Sequence, residues 1–428
     1  MQKERLIQKP PKSFYTSKTE TTMVFFEPET VKGFPELLTP ESQKFEKIRR
    51  VIEQTYERYG FLPIKTPSVE FDELMRPDTI GDEDEAVSDR FRFQDKGGRN
   101  LGLRYEFTFQ LARIFKQHPT IKLPFRRYQV GSVFRDEPTS SSRYREFTQA
   151  DADIIGDASV ESEAECLAMA CDILEQLKID AKIVVNNRKL MNAIIDSVQI
   201  QNKNAVLREL DKIDKLGEDA VKANLKKHAE PGQILTLFKL LEKDLNFFVK
   251  NLFDGAEELF KLQQLGKLYG FTVEFSSYMV RGLSYYTGNV FELKLEGKSS
   301  VGGGGRYDRV VGKFLGKQIP AVGISFGLER LMDLTKIEPD TTQAIVISID
   351  QEKEAIKVTQ KMRKEGISTL ITKEKIGKAL EYADSYGIQN AIFIGSDEVK
   401  KKKLKLRNMK TGKEEYLTEK QIISRLTK

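Results

Sequence analysis

Hydrophobic positions change period several times along the chain, and each change marks an element. Between Thr39 and Gly60, Phe45, Ile48, Val51, Ile52 and Tyr56 recur at helical spacing. Thr39 is placed to cap that helix, Pro40 to open it and Gly60 to follow its last turn. "FLPIKTPSVE" reads as a strand entering a proline-punctuated turn, and after an acidic loop ("TIGDEDEAVSDR") the stretch "LGLRYEFTFQLARIFKQH" reads as a strand leading into a helix. "FRRYQVGSVFRDEP" and "YREFTQADADIIGD" are two further strands joined by a polar loop, a spacing that predicts an antiparallel pair. A helix over Val160 to Leu177 follows, and residues from about 188 to 268 are helical, lysine-rich and inserted. Strands return with "SYMVRGLSYYTGNVFELKLEGKSSVGGGGRYDRVVG", and "AVGISFGLERLMDL" closes the body as strand then helix.

Beyond "LTKIEPDTTQ" the rhythm alters. "AIVISI", "ISTLIT" and "NAIFIG" are short apolar runs separated by helical patterns, a βαβαβ succession that predicts a mostly parallel sheet. The chain therefore divides into an extension over 1–30, a core over 31–334, a linker over 335–342 and a small α/β domain over 343–428. The overall class is α/β, with an α+β core.

Composition narrows the function classes. The 428 residues hold 39% hydrophobic and 31% charged positions, enough for a large core under a solvated surface. No apolar run of 18 residues occurs, so no membrane span is expected. The N-terminus lacks the apolar segment of a secretory signal and carries Glu4 and Glu20, which predicts a cytoplasmic protein. Cys166 and Cys171, five apart on a helix, fit neither a metal site nor a disulfide framework, and His118 and His228 read as structural or surface residues. From Thr341 onward there are 19 Lys and Arg against 12 Asp and Glu, so the net charge of +6 comes from the tail. A basic module of this kind is a footprint for nucleic acid, although the run Lys400 to Arg407 by itself reads more readily as a solvated hairpin.

Three stretches carry chemistry. Alternation puts Gln149, Asp151 and Asp153 on one face of a strand, which is either a cation-binding wall or a solvent-facing side. Arg135 precedes the loop with Glu137, and Arg143 and Arg145 follow it, a placement suited to clamping phosphate through the guanidinium fork. In "GISFGLERL" glycines flank a strand that enters a helix carrying Glu329 and Arg330. Neither a GxxxxGK[ST] loop nor a dinucleotide-binding GxGxxG is present.

Taken in order, these pieces resemble the class II aminoacyl-tRNA synthetases, specifically the histidyl-tRNA synthetases. "YERYGFLPIKTPSVE" is similar to motif 1, "FRDEP…SRYREFTQADADIIG" to motif 2 and "GISFGLERL" to motif 3. "RGLSYYTGNVFE" and "GGGGRYD" resemble the two histidine-specific signatures, and "LRYEFT" the substrate loop of the archaeal and eukaryotic form. The resemblance runs from about Gly33 to the C-terminus. It implies a class II antiparallel sheet flanked by helices, with the tail as an anticodon-binding domain. The implied activity is histidine–tRNA ligation: ATP and L-histidine give histidyl-adenylate, and the histidyl group passes to tRNA(His).

Residue by residue, the resemblance implies that Tyr285 and Tyr286 wall the histidine pocket, Glu106 and Thr108 hold the amino group with Gln149 near them, and Asp153 accepts from the imidazole. It assigns Arg135 and Arg281 to the α-phosphate as the catalytic pair, Arg143 to the outer phosphates and Arg330 to the adenine or γ-phosphate side. Glu137 joins the ATP site, the glycine run brings backbone close to the adenylate, Mg²⁺ accompanies the nucleotide, and no protein-bound metal is expected. A homodimer through motif 1 is implied as well. One departure stands out: Ser284 occupies a position where the family usually has Asp. The rival reading is a catalytically inactive, synthetase-like regulatory subunit of histidine biosynthesis. Retention of Arg135, Arg281, Tyr285, Tyr286 and the basic tail argues against it.

Overall fold

The computed structural model describes residues 28–75, 89–140, 143–280, 285–296 and 300–427. Arg281, Ser284, most of the N-terminal extension and most of the acidic loop lie outside the described residues.

Helix α1 (Glu41–Arg58) buries Ile48, Ile52, Thr55 and Tyr56, the stripe expected from the periodicity. Its start differs from expectation. Pro40, with helical φ and ψ, is the N-cap itself and Thr39 caps nothing; Ser42 N–H and Lys44 N–H are taken by the carbonyls of Leu38 and Pro40. "FLPIKTPSVE" also divides. Strand β1 is only Leu62–Pro63 and pairs in parallel with β5 (Phe125–Phe134), with Ile64 N–H donating to the Tyr128 carbonyl at 2.9 Å just beyond it. Strand β2 (Val69–Phe71) belongs to a separate three-stranded sheet with β3 (Arg92–Gln94) and β4 (Asn100–Leu103).

The main sheet has eight strands. Besides β1 and β5 it holds β6 (Glu146–Ile155), β7 (Lys182–Asn187), β8 (Val273–Phe275), β9 (Asn289–Lys294), β10 (Ser300–Arg306) and β11 (Ala321–Gly327). Its order is β1-β5-β6-β11-β10-β9-β7-β8, antiparallel throughout its middle, with parallel pairs at the two edges. The expected antiparallel pair β5–β6 runs in register from Phe125↔Ile155 to Phe134↔Glu146. Helices α1, α3 (Val160–Gln176) and α11 (Leu328–Leu334) bury their apolar faces in one cluster with the sheet. Helix α2 (Phe109–Gln117) packs in a second cluster, whose strand residues Ile155, Val184, Val290 and Ala321 neighbour the first cluster's Ile154, Val185, Phe291 and Val322 along the chain.

The helical insertion has a topological reason. Strands β7 and β8 pair in parallel, and parallel neighbours need a crossover. Here that crossover is seven helices, α4 (Arg188–Ser197) to α10 (Ala256–Tyr269). Their apolar residues join the same cluster as the main sheet, so the insertion has no core of its own.

The tail forms a five-stranded sheet, order β13-β12-β14-β15-β16, from β12 (Ala344–Ser348), β13 (Thr369–Thr372), β14 (Asn390–Ile394), β15 (Leu404–Asn408) and β16 (Glu414–Leu417). Strands β13, β12 and β14 are parallel, as the rhythm predicts, and β15–β16 is an antiparallel hairpin. Apolar clusters on its two faces are distinct from those of the large sheet. Leu404 and Leu406 point inward from the lysine run while Lys400 to Lys403 stay exposed, and Lys405 and Arg407 pair with Glu414 across the hairpin at 3.3 and 3.6 Å.

Candidate active site

The strand "EFTQADADII" settles the first open question. Gln149, Asp151 and Asp153 are all buried and line a cleft, so the solvent-facing alternative falls. Three acidic or amide side chains on a buried strand face are costly unless something compensates them, and the surroundings supply partners. Gln149 Nε2 donates to Asp151 Oδ1 at 2.9 Å. Arg127, directly opposite Asp153 in the β5–β6 register, places its Nη2 2.6 Å from Asp153 Oδ2, and the Tyr307 hydroxyl donates to Asp153 Oδ1. Burial nevertheless dominates: it pushes the Asp153 carboxyl up to about 6, against the pull of Arg127 and with Asp151 adding to the rise.

Glycine makes room for this carboxylate. A Cβ on Gly323 would lie 2.0 Å from Asp153 Oδ1, and one on Gly304 would lie 1.9 Å from the Gly323 carbonyl. The bare strands thus answer first to each other and to Asp153. The glycine run had been expected to serve ligand approach; its tightest contacts lie inside the sheet, while Gly302 to Gly305 also line the cleft.

That cleft, about 370 Å³, opens over β6, β11, β10 and β9. Ten of the eleven residues singled out from the sequence line it: Glu106, Thr108, Arg135, Glu137, Arg143, Gln149, Asp153, Tyr285, Tyr286 and Arg330. Arg281 lies outside the described residues. Sequence reasoning passed over Arg127 and Tyr307 and did not count Asp151 or Glu329 among the site residues. The signal for Arg127 was its place in "FRRYQ", where it faces Asp153 only once the strand register is known.

One end of the cleft is enclosed and aromatic. The rings of Tyr285 and Tyr286 lie 4.9 Å apart, with Tyr307 edge-on to Tyr285 at 5.9 Å and Phe109 at 5.8 Å. Glu106 sits here just before α2, accepting from Phe109 N–H at 2.7 Å and from the Thr108 hydroxyl, which also bonds Tyr285. A helix N-terminus favours an anion, yet burial wins and the Glu106 carboxyl is pushed up to about 7, with Asp151 adding to it.

The other end is wetter and cationic. Arg135 lies between the rings of Tyr105 and Phe147, 5.2 and 5.0 Å from their centroids, an arrangement that fixes the guanidinium plane. Its polar contacts are long, 3.4 Å to both the Tyr105 carbonyl and Gln149 Oε1, so its donors remain available to an oxyanion. Arg143 is exposed and pairs with Glu137 at 2.8 Å, and Arg330 donates to the Ser300 carbonyl. Glu329 accepts from Thr148 N–H with both oxygens, at 2.8 and 3.0 Å, tying α11 to β6. No group of three His, Cys, Asp or Glu side chains able to hold a metal exists among the described residues. Carboxylates of Glu137, Glu292 and Glu329 do line the cleft, a donor set suited to sharing Mg²⁺ with phosphates rather than to holding it alone.

Comparison with known proteins agrees with this geometry. The family model for histidyl-tRNA synthetase matches residues 33–331, and that for the anticodon binding domain matches residues 343–428. A histidine–tRNA ligase of Bacillus cereus is 36% identical over 413 residues, covering 91% of this chain and 94% of its own. One from Clostridium tetani is 34% identical over 427 residues, covering 91% and 96%. Among solved structures, histidyl-tRNA synthetase from a Nostoc species superposes with a TM-score of 0.83 at 28% identity, covering 94% of this chain and 99% of that one. A Bacillus halodurans chain described as an ATP phosphoribosyltransferase regulatory subunit/histidyl-tRNA synthetase reaches 0.72 at 22% identity, covering 87% and 99%, which shows a shared fold alone. Both the matched models and the sequence relatives place this chain in the histidyl-tRNA synthetase family.

Proposed function

We propose that the protein is a histidine–tRNA ligase that works in two steps at the cleft. In the first, the histidine carboxylate attacks the α-phosphorus of ATP, a phosphorus–oxygen bond forms, and the bond to pyrophosphate breaks. The nucleophile is already ionised, so no general base is required. In the second, a terminal ribose hydroxyl of tRNA(His) attacks the activated carbonyl and AMP leaves. Catalysis rests on positioning and on charge stabilisation where the α-phosphate gathers negative charge.

The observation that carries this reading is the polarity of the cleft: buried carboxylates of Glu106 and Asp153 in an aromatic end, and a ring-clamped Arg135 toward the open end. A cationic amino group and an imidazole N–H fit the first, and an anionic phosphate fits the second. Glu106, Thr108 and Gln149 hold the amino group, Asp153 accepts from the imidazole, and Tyr285 and Tyr286 wall the ring. Arg135 and Arg281 meet the α-phosphate, Arg143 the outer phosphates and Arg330 the adenine or γ-phosphate side. Mg²⁺ would neutralise phosphate charge when bound, and the carboxylates of Glu137, Glu292 and Glu329 line the cleft where it would be held. The site, the division into a core over 31–334 and an anticodon-binding domain over 343–428, and cytoplasmic action all belong to this proposal.

The proposed assembly is a homodimer. Phe71, Leu101 and Phe93 stand opposite one another across β2, β4 and β3, with Phe71 51% and Phe93 43% exposed. Such an apolar row on a sheet face is what a second copy covers.

Amino-acid-dependent ATP–pyrophosphate exchange, run with each of the twenty amino acids, tests the function. Exchange with histidine alone, followed by charging of tRNA(His), supports it. No exchange with any amino acid favours the regulatory-subunit reading, and exchange with a different one removes the assignment of Asp153 and Tyr286.

A further inference from the structure

Arg127 is an expensive residue in its position. It is fully buried, and its Nε and Nη1 have no hydrogen-bond partner among the described residues. Its polar contacts are Nη2 to Asp153 at 2.6 Å and to the Phe107 carbonyl at 3.3 Å. Stability alone is a poor reason to retain a buried ion pair, because apolar side chains of similar volume serve a core as well or better. Arg127 does not line the cleft, but Asp153 does, and the two face each other across paired strands.

We infer that Arg127 is a positioning residue for amino-acid selection, holding the Asp153 carboxylate ionised and aimed so that it accepts the imidazole N–H of histidine. The inference rests on the proposed role of Asp153. Its physical content is a division of labour around one carboxylate. Tyr307 donates to Oδ1 and Arg127 lies in ion-pair contact with Oδ2, which holds the carboxylate between them; Gly323 leaves space on its flank, and Asp153 lines the cleft. The charged and titratable groups around Asp153 are Arg127, Asp151, Tyr307, Glu106, Tyr56 and Cys166. Burial keeps the Tyr56 and Tyr307 phenols and the Cys166 thiol neutral, and Asp151 and Glu106 are acids, so Arg127 is the cation opposing protonation. Without it, Asp153 is protonated at neutral pH and offers a donor where an acceptor is needed.

The test is histidine-dependent ATP–pyrophosphate exchange on the full-length protein between about pH 6 and 9, with KM and kcat separated. Wild type is compared with R127L, R127K, D153N and R127L/D153N. Taking variant-to-wild-type ratios at each pH cancels the titration of the substrate's own imidazole. Removing an opposite charge at contact distance moves a carboxyl by about 1–3 units, so R127L is expected to raise the histidine KM at pH 7 by between about twofold and about a hundredfold. That defect shrinks as pH rises, the KM for ATP stays unchanged, R127K recovers most of the loss, and R127L adds nothing to D153N. If R127L does not fold, R127Q takes its place with the same expectations. A wild-type histidine KM across the range, a pH-independent loss shared with ATP, or a double variant far worse than D153N overturns the inference. Should D153N itself leave the histidine KM unchanged, the reading of Asp153 fails and the inference with it; should D153N raise it while R127L does not, Arg127 alone is cleared.

Discussion

Glu106 shows at the residue scale how activity and stability oppose each other in this cleft. Burial raises its carboxyl to about 7, so its ionised form is disfavoured by the fold. A folded-state value above the unfolded one means the cost is absent at low pH and complete above the folded value. Glu106→Gln is therefore expected to stabilise the free protein by on the order of 2 kcal/mol at pH 8, with the gain fading by about pH 5, while abolishing histidine activation. Calorimetric melting across that range, alongside the exchange assay, checks both halves. Arg135 gives a second case. Its guanidinium is held flat between Tyr105 and Phe147, a geometry lysine does not reproduce. Arg135→Lys is expected to lower kcat by about 10²-fold or more with a smaller change in histidine KM, as for loss of a donor aimed at developing charge. Steady-state exchange kinetics decide it. Both residues were legible in the sequence by type and order, but neither the clamp nor the raised acidity was, because both come from neighbours brought in by other strands.

At the scale of elements, the glycine strand β10 and the polar joint at its end do the structural work around the site. Gly304→Ala forces a Cβ onto the Gly323 carbonyl 1.9 Å away, backbone against backbone, so neither side gives easily. The expected cost is about 3 kcal/mol or more, read as a lowered midpoint in urea unfolding. At the end of β10, Arg306 meets Glu163 of α3 at 2.5 Å and donates to the carbonyls of Asp157 and Ser159 at 3.0 and 2.8 Å. Asn289 also donates to Glu163, and Asn187, which caps α4, bonds Asn289 at 2.7 Å. This chain of contacts joins the glycine strand, α3 and the insertion. Glu163→Ala leaves the buried Arg306 with only the longer contact to Asp308, at 3.4 Å, opposing its charge and is expected to cost about 3 kcal/mol, again measured by urea unfolding. Period and turn residues announced these elements correctly, including the parallel tail. The split of "FLPIKTPSVE" into two sheets and the uncapped start of α1 were not readable, because pairing partners lie about 30 to 60 residues away and local pattern carries no record of them.

For the whole molecule, the tail and the large sheet have separate apolar clusters, and the linker is tied back by surface contacts: Lys47 and Arg50 of α1 pair with Asp340 at 2.8 and 2.7 Å. Exposed pairs of this kind contribute little. A chain ending at Pro339 is expected to retain histidine-dependent exchange and to lose tRNA charging by about 10²-fold or more, if the anticodon-binding domain over 343–428 makes the phosphate contacts proposed for it. Side-by-side exchange and aminoacylation assays separate the two. The proposed homodimer makes a second expectation at this scale: Phe71→Asp with Phe93→Asp, on the apolar row Phe71–Leu101–Phe93, is expected to sediment as a monomer where the unsubstituted chain is expected to sediment as a dimer.

The sequence by itself determined the order of elements, the division into a mixed body and a tail that begins with three parallel strands, and the residue types that line the cleft. These follow from local pattern and from motifs whose spacing is fixed along the chain. Tertiary structure decided which buried groups face one another. Arg127 and Asp153 are 26 positions apart, Tyr307 and Asp153 are 154 apart, and Gly323 must yield space to a carboxylate on a neighbouring strand. Burial, strand register and close approach set the charge state and aim of Asp153, and those quantities exist only once the sheet has formed.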